Sequence, residues 1–173
     1  MNDKLKNLFS RRSIRKYTNQ KISEQTIRDI LDAAMAAPSA VATDPWRFIV
    51  IRKKKTLQKI ADVLPNGTMI ADADVGIIIC GDINAAHTQE LSYMLQDCSA
   101  AIENILLAVS QLGLGACWLG VHPRTDRIKN IKEIFSLPEE VIPISAIAIG
   151  YPAEEKEPRT RYDKNKVYFE EWN

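Results

Sequence analysis

Hydrophobic positions recur along this chain either at helical spacings or in short unbroken runs, and the two patterns predict a succession of helices and strands. Leu5, Leu8 and Phe9 fall on one side of a short amphipathic segment over residues 4–10. Ser23 is placed to cap a helix reaching about Ala37, with Ile27, Ile30, Leu31 and Ala34 at helical spacing and Pro38 just past its end. The run Trp46–Ile51 is aromatic and β-branched, which suits a strand. Thr56 then opens a helix through Leu57, Ile60, Ala61 and Leu64, closed by the turn Pro65-Asn66-Gly67. Residues 75–80 are continuously apolar, as in a strand buried on both faces.

Residues 91–112 predict a long helix with Cys98, Ile102, Ile105, Val109 and Leu112 in one stripe, widened by Ala101, Leu106 and Ala108. Gly113-Leu114-Gly115 ends it and leads into a strand over 116–120. Thr125 caps a helix carrying Ile128, Ile131, Ile134 and Phe135, and residues 142–149 form a further strand. The tail, 151–173, holds the charged run Glu154-Glu155-Lys156-Glu157, yet Tyr151, Tyr162, Tyr168, Phe169 and Trp172 also lie in it. Disordered segments are poor in aromatics, so the tail is expected to dock on a surface, its own or a partner's.

Composition narrows the classes. A chain of 173 residues with 46% hydrophobic and 26% charged residues reads as one domain, 1–173, with a sizeable core. Lys+Arg of 23 against Asp+Glu of 22 leaves a net charge of +1, so no global field favours nucleic acid or an anionic membrane. The residues from Met1 to Ser10 contain no apolar signal region, and no run approaches the ~20 residues of a membrane span, which places the protein in the cytoplasm. Cys80, Cys98 and Cys117 form no C-x-x-C pair and read as core thiols, and His87 and His122 lack ligand-spaced partners, so no metal site is expected.

Candidate chemistry therefore has to be local. In an extended backbone, Arg11, Ser13 and Arg15 project to one side while Arg12, Ile14 and Lys16 project to the other. Two guanidinium forks and a hydroxyl suit a terminal phosphate, each charge-assisted hydrogen bond contributing about 1.5–3 kcal/mol. The alternative is a solvated basic run. Arg159 and Arg161 repeat the device in the tail, and two such clusters at opposite ends of a near-neutral chain suggest one converging anion site. The chain has no G-x-x-x-x-G-K-[ST] loop and no G-x-G-x-x-G, so a phosphorylated cofactor would be held by side chains. The small residues Ala37-Pro38-Ser39-Ala40 either admit a ligand to the backbone or simply end a helix.

These residues carry a resemblance. Arg11-Arg12-Ser13-Ile14-Arg15-Lys16-Tyr17, Ala37-Pro38-Ser39-Ala40 leading to Pro45-Trp46-Arg47-Phe48, the helix from Gln96 ending in Gly113-Leu114-Gly115-Ala116-Cys117-Trp118-Leu119-Gly120, and Gly150-Tyr151-Pro152 followed by Arg159 and Arg161 occur in the order found in the FMN-dependent nitroreductase family. The chain resembles a compact member. The resemblance implies an α+β fold, a three-layer α/β/α sandwich with a mixed, mainly antiparallel central sheet, whose extended C-terminal tail docks on the partner subunit. It further implies a homodimer with FMN at the interface. Arg11, Ser13 and Arg15 would hold the phosphate, ribityl chain and pyrimidine edge, with Arg12 nearby, and Arg159 and Arg161 would complete the phosphate site. Pro38, Ser39 and Ala40 would come from the other subunit, while the backbone of Leu119 and Gly120 would lie beside the reactive flavin N5.

The activity implied is oxidoreduction, with NADH or NADPH reducing FMN and a nitroaromatic or quinone-type acceptor then oxidising it. No side-chain catalyst is required, since flavin N5 carries the chemistry. The alternative is a non-catalytic flavin or nucleotide binder. One departure from the family pattern stands out: where many members carry N-x-Q-P-W, this chain has Ala42-Thr43-Asp44 before Pro45 and Trp46. Asp44 either brings negative charge near the flavin or caps the turn before Pro45. The loop at Asn66-Gly67 borders the expected substrate pocket.

Overall fold

The run at 75–80 lies at the centre of the sheet. In the computed structural model, which describes residues 2–172, it is strand β2, Val75–Asp82. Ile77 and Ile79 face one layer of helices, and Ile78 and Cys80 face the other, all fully buried. Both faces of this strand are covered, which is why its sequence does not alternate.

Around β2 lie β1 (Trp46–Ile51), β3 (Gly115–Gly120) and β4 (Val141–Gly150), in the order β1-β2-β4-β3. Every neighbouring pair of strands is antiparallel. The parallel component of the expected mixed sheet is confined to one bridge, Ser13 to Ala116, made by the N-terminal arm on the outer edge of β3. Helices α2 (Glu24–Met35) and α4 (Leu91–Gln111) cover one face, and α3 (Lys54–Val63) and α5 (Thr125–Phe135) cover the other. The three-layer α/β/α sandwich is therefore present. The short helix α1, Lys6–Ser10, precedes the arginine arm.

Local chemistry sets most boundaries. The Ser23 hydroxyl accepts the N–H of Thr26, capping α2. Helix α3 starts two residues before Thr56, at Lys54, with no side-chain cap, and Thr125 opens α5 from inside its first turn. Leu112 lies past the end of α4 and is exposed, so the stripe closes at Val109. No helix among the described residues is long and apolar enough to cross a membrane, and no group of three metal-competent side chains occurs among them. The tail reading extends to Asn173, which lies outside the described residues, as does Met1.

One buried carboxylate fastens the start of the chain to the sheet. Asp74, just before β2, accepts from Lys21 Nζ at 2.8 Å, the Ile22 N–H at 2.8 Å and Arg52 Nη2 at 3.1 Å. Burial pushes its pKa up, but the Lys21 and Ile22 hydrogen bonds with the Lys21 and Arg52 charges outweigh that, and the net shift is downward. A depressed folded-state pKa gives stability that is complete above the unfolded value of about 3.9 and is lost as pH falls through the folded value. Asp74→Asn is therefore expected to cost about 3 kcal/mol at pH 7, because two cations lose their partner, and to flatten the acid limb of the stability curve. Urea unfolding of both proteins at neutral and acid pH checks this, and equal acid sensitivity would refute the assignment.

Candidate functional site

The arginine arm reaches its place because two glycines leave room for it. A Cβ on Gly115 would come within 2.7 Å of the Ile14 side chain, and one on Gly150 within 2.8 Å of the Tyr17 ring. With those gaps filled by Ile14 and Tyr17, the Ile14 N–H donates to the Ala116 carbonyl at 2.9 Å and the Thr18 N–H to the Tyr151 carbonyl at 2.9 Å. The arm thus lies across the ends of β3 and β4.

The tail returns over the arm. Glu154 Oε1 accepts the Arg15 N–H at 2.6 Å, and Lys156 Nζ donates to the Ser13 carbonyl at 2.7 Å while pairing with Glu154 at 3.1 Å. The Arg15 N–H, and after it Lys156, hold the Glu154 carboxyl below its usual range despite some desolvation. Further along, Arg12 Nη1 donates to the Glu157 carbonyl and the Arg159 N–H to the Phe9 carbonyl. Glu154 and Lys156 were read from sequence as part of a charged run. Their positioning role depends on the tail folding back, which no local pattern encodes.

This stitching brings the two arginine clusters together. Arg11, Arg12, Ser13, Arg159 and Arg161 line one cavity of about 310 Å³ with Leu8. Its charges are crowded: Arg161 first, then desolvation, Arg12 and Arg11 push the Arg159 pKa below its ordinary value. One acid approaches, with Glu103 at 3.3 Å from Arg11 Nε. Strict alternation fails here, because Arg12 faces the same cavity as Arg11 and Ser13 while Arg15 does not. Arg11, the C-cap of α1, is already extended, with φ −61° and ψ 121°, and it is the returning tail that engages the Arg12 guanidinium, through the Glu157 carbonyl.

Arg15 instead lines a second cavity of about 250 Å³ with Leu119, Gly120, Cys117 and the Asn66-Gly67 turn. Two residues of extended chain, about 7 Å, separate it from Ser13. Gly120 faces open space, and a Cβ there would meet nothing within 4 Å. Arg127 also lines this cavity and donates to the Gly120 carbonyl at 2.8 Å. It was not singled out from sequence, since a basic residue in a helix's first turn reads as solvated surface.

Pro38, Ser39 and Ala40 line neither cavity. Their loop carries left-handed φ at Val41, Ala42 and Asp44, about 50° each. Two carboxylates hold it. Asp97 Oδ1 accepts the Ala40 N–H at 2.9 Å from inside the fold, its Oδ2 being buried without a hydrogen-bond partner. The Ser39 hydroxyl donates to Asp44 Oδ1 at 2.6 Å and accepts the Asp44 N–H at 3.1 Å. Asp44 thus closes the turn before Pro45, the second of the two roles its position suggested.

Comparison with known proteins places the chain in a family. The Nitroreductase family model matches residues 8–68 and 62–151. A Methanothermobacter thermautotrophicus protein named as an NADH dehydrogenase/NAD(P)H nitroreductase is 48% identical over 98% of this chain and 88% of its own. The crystal structure of a Desulfovibrio desulfuricans nitroreductase in complex with FMN superposes with a TM-score of 0.85 at 31% identity, over 100% of this chain and 99% of that one. An FMN-dependent nitroreductase from Clostridium difficile gives 0.89 at 30% identity, over 97% and 99%. This chain belongs to the nitroreductase family.

The stitching can be tested directly. Glu154→Ala removes the acceptor of the Arg15 N–H and the partner of Lys156, and is expected to cost about 1.5 kcal/mol. Hydrogen exchange at the Ile14 and Arg15 amides should accelerate while the amides of β2 stay protected. Uniform acceleration would mean that Glu154 does not hold the arm in particular.

Proposed function

We propose that the protein is an NAD(P)H-dependent FMN oxidoreductase that passes electrons to a small acceptor of the nitroaromatic or quinone type. The observation that carries this reading is the cavity shared by Arg11, Arg12, Ser13, Arg159 and Arg161. Four guanidinium groups gathered with one nearby carboxylate need an anion, and a phosphate dianion offers enough acceptors for all of them. The FMN held by the Desulfovibrio neighbour and the NAD(P)H in the name of the Methanothermobacter relative support the same choice.

In this reading the whole chain serves as one FMN-binding domain. The five residues of the first cavity bind the phosphate, Arg15 meets the pyrimidine edge, and the backbone of Leu119 and Gly120 borders the ring. FMN, when bound, supplies hydride transfer in two halves, from NADH or NADPH and then to the acceptor. The chain contributes binding, orientation and charge. The Arg15 guanidinium favours the negative charge that reduction leaves on the ring, and the open side of Gly120 lets the ring approach the backbone. No side-chain nucleophile takes part. Burial pushes the Cys80 and Cys98 thiols up to about 12, so neither is a thiolate at neutral pH.

The reading also gives the protein a homodimeric form, in the cytoplasm, with Pro38, Ser39 and Ala40 serving the partner's flavin. Apolar surface supports this. Val41 at the tip of that loop is 76% exposed, and Phe169 and Trp172 in the tail are 84% and 82% exposed. An unpaired β1 edge beside a cavity lined by Ile49, Val50 and Ile51 offers a surface for a partner's extended segment.

Purified protein is expected to be yellow and to bleach on anaerobic addition of NADH or NADPH, whereas yellow protein that neither bleaches would be a binder and not an enzyme. The double variants Arg11→Ala with Arg15→Ala, and Arg159→Ala with Arg161→Ala, each remove two charge-assisted bonds and should weaken FMN binding by roughly 100-fold. Affinity within about twofold of wild type in both would refute the clamp. A chain stopped after Arg161 keeps the clamp and loses the tail aromatics, and sedimentation should show it dissociating. A dimer as stable as wild type would refute docking of the tail on the partner.

A further inference from the structure

The second cavity carries more positive charge than the edge of a flavin uses. Arg15 lines it, and so does Arg127 from the first turn of α5. Nη1 of Arg127 is anchored on the Gly120 carbonyl at 2.8 Å. That bond uses one of five N–H donors, and its acceptor has no net charge. Arg11, Arg28, Arg47 and Arg52 each pair with a carboxylate. Among the described residues, Arg15 and Arg127 pair with none, as is also true of Arg12, Arg124, Arg159 and Arg161, but these two share one cavity with the open Gly120. A guanidinium fixed by a neutral carbonyl keeps forked donors for an oxyanion, and Gly120, whose carbonyl it holds, is open to a ligand. A further cavity of about 330 Å³ is also lined by Arg15, with Lys16, Lys54 and one acid, Asp72, so the positive field extends beyond the first contact.

We propose that Arg127 and Arg15 form a second anion subsite, which takes the phosphate or carboxylate oxygens of the molecule that exchanges hydride with the flavin. The proposal rests on the flavin reading above and makes Arg127 a specificity-determining residue. A charged acceptor, or the pyrophosphate of the pyridine nucleotide, is held at the end of β3, and a neutral analogue is not.

The test is calorimetric titration of the full-length, FMN-supplemented protein with two pairs, benzoate against benzamide and NAD+ against nicotinamide. In Arg127→Gln, affinity for the anionic member of one pair is expected to fall about tenfold relative to its neutral partner. Arg127→Lys keeps the charge and should recover most of that difference. Loss confined to the benzoate pair assigns the subsite to the acceptor, and loss confined to the NAD+ pair assigns it to the donor; either supports the proposal. Equal changes in both members of each pair mean that Arg127 only props the end of β3, and overturn it. Wild-type protein that binds neither anion more tightly than its neutral partner overturns it as well. FMN uptake is read from visible absorbance of the same samples. Protein that takes up no FMN sinks the flavin reading and this inference with it, whereas FMN-loaded protein with unaltered discrimination sinks this inference alone.

Discussion

Four guanidinium groups repel one another, and the cavity they share is held together against that repulsion by bonds that fix the two chain ends carrying them, the Arg12 guanidinium's own bond to the Glu157 carbonyl among them. The N-terminal arm is fixed by the Ile14–Ala116 and Thr18–Tyr151 backbone bonds, and the tail by Glu154, Lys156 and the bond from the Arg159 N–H to Phe9. Apart from the Arg12 bond, these contacts use backbone groups of the arm and engage no other guanidinium of the cavity. The folding energy of the arm and tail therefore offsets the electrostatic cost of gathering the charges. An anion that enters relieves the repulsion, so ligand and fold stabilise each other.

The sandwich determines where that assembly sits. Because β2 and β4 are covered on both faces by helices, a ligand has no access to the middle of the sheet. Access remains along β3, an edge strand whose Gly115 end accepts the arm and whose Gly120 end stays open. The first cavity lies beside the arm's arginines, and the second runs from Arg15 along the strand to Gly120. Glu154 and Lys156 of the tail, bonded to the Arg15 N–H and the Ser13 carbonyl of the arm, fix the arm between the two cavities.

Much of this was legible in the residues. The continuous run at 75–80, the Ser23 cap and the stripe on α4 each reflect a local rule, and each element appears where its rule put it. The two arginine clusters were legible as a possible converging set, and Arg11, Ser13, Arg159 and Arg161 do line one cavity, while Arg15 of the same pattern lines another. What sequence alone left out depends on contacts between distant segments. Arg12 reaches the cavity where the returning tail offers its guanidinium the Glu157 carbonyl, and Arg127 matters because α5 starts beside Gly120. Asp97 reads as a polar interruption in an apolar helix until the strained loop at Ala40 is seen to lean on it. Asp44 was ambiguous for the same reason: its partner Ser39 lies across a turn whose left-handed residues are not glycine.

The bond between Arg12 and the Glu157 carbonyl joins residues 145 apart in sequence. That separation imposes an order of events during biosynthesis. At about 5–20 residues per second, Arg161 is added roughly 8–30 s after Arg11. All four strands end by Gly150, so the tail that carries Arg159 and Arg161 is made after every residue of the sheet. Until then one half of the arginine cluster has no counterpart, and any cofactor that needs both halves is bound only once the tail has been made.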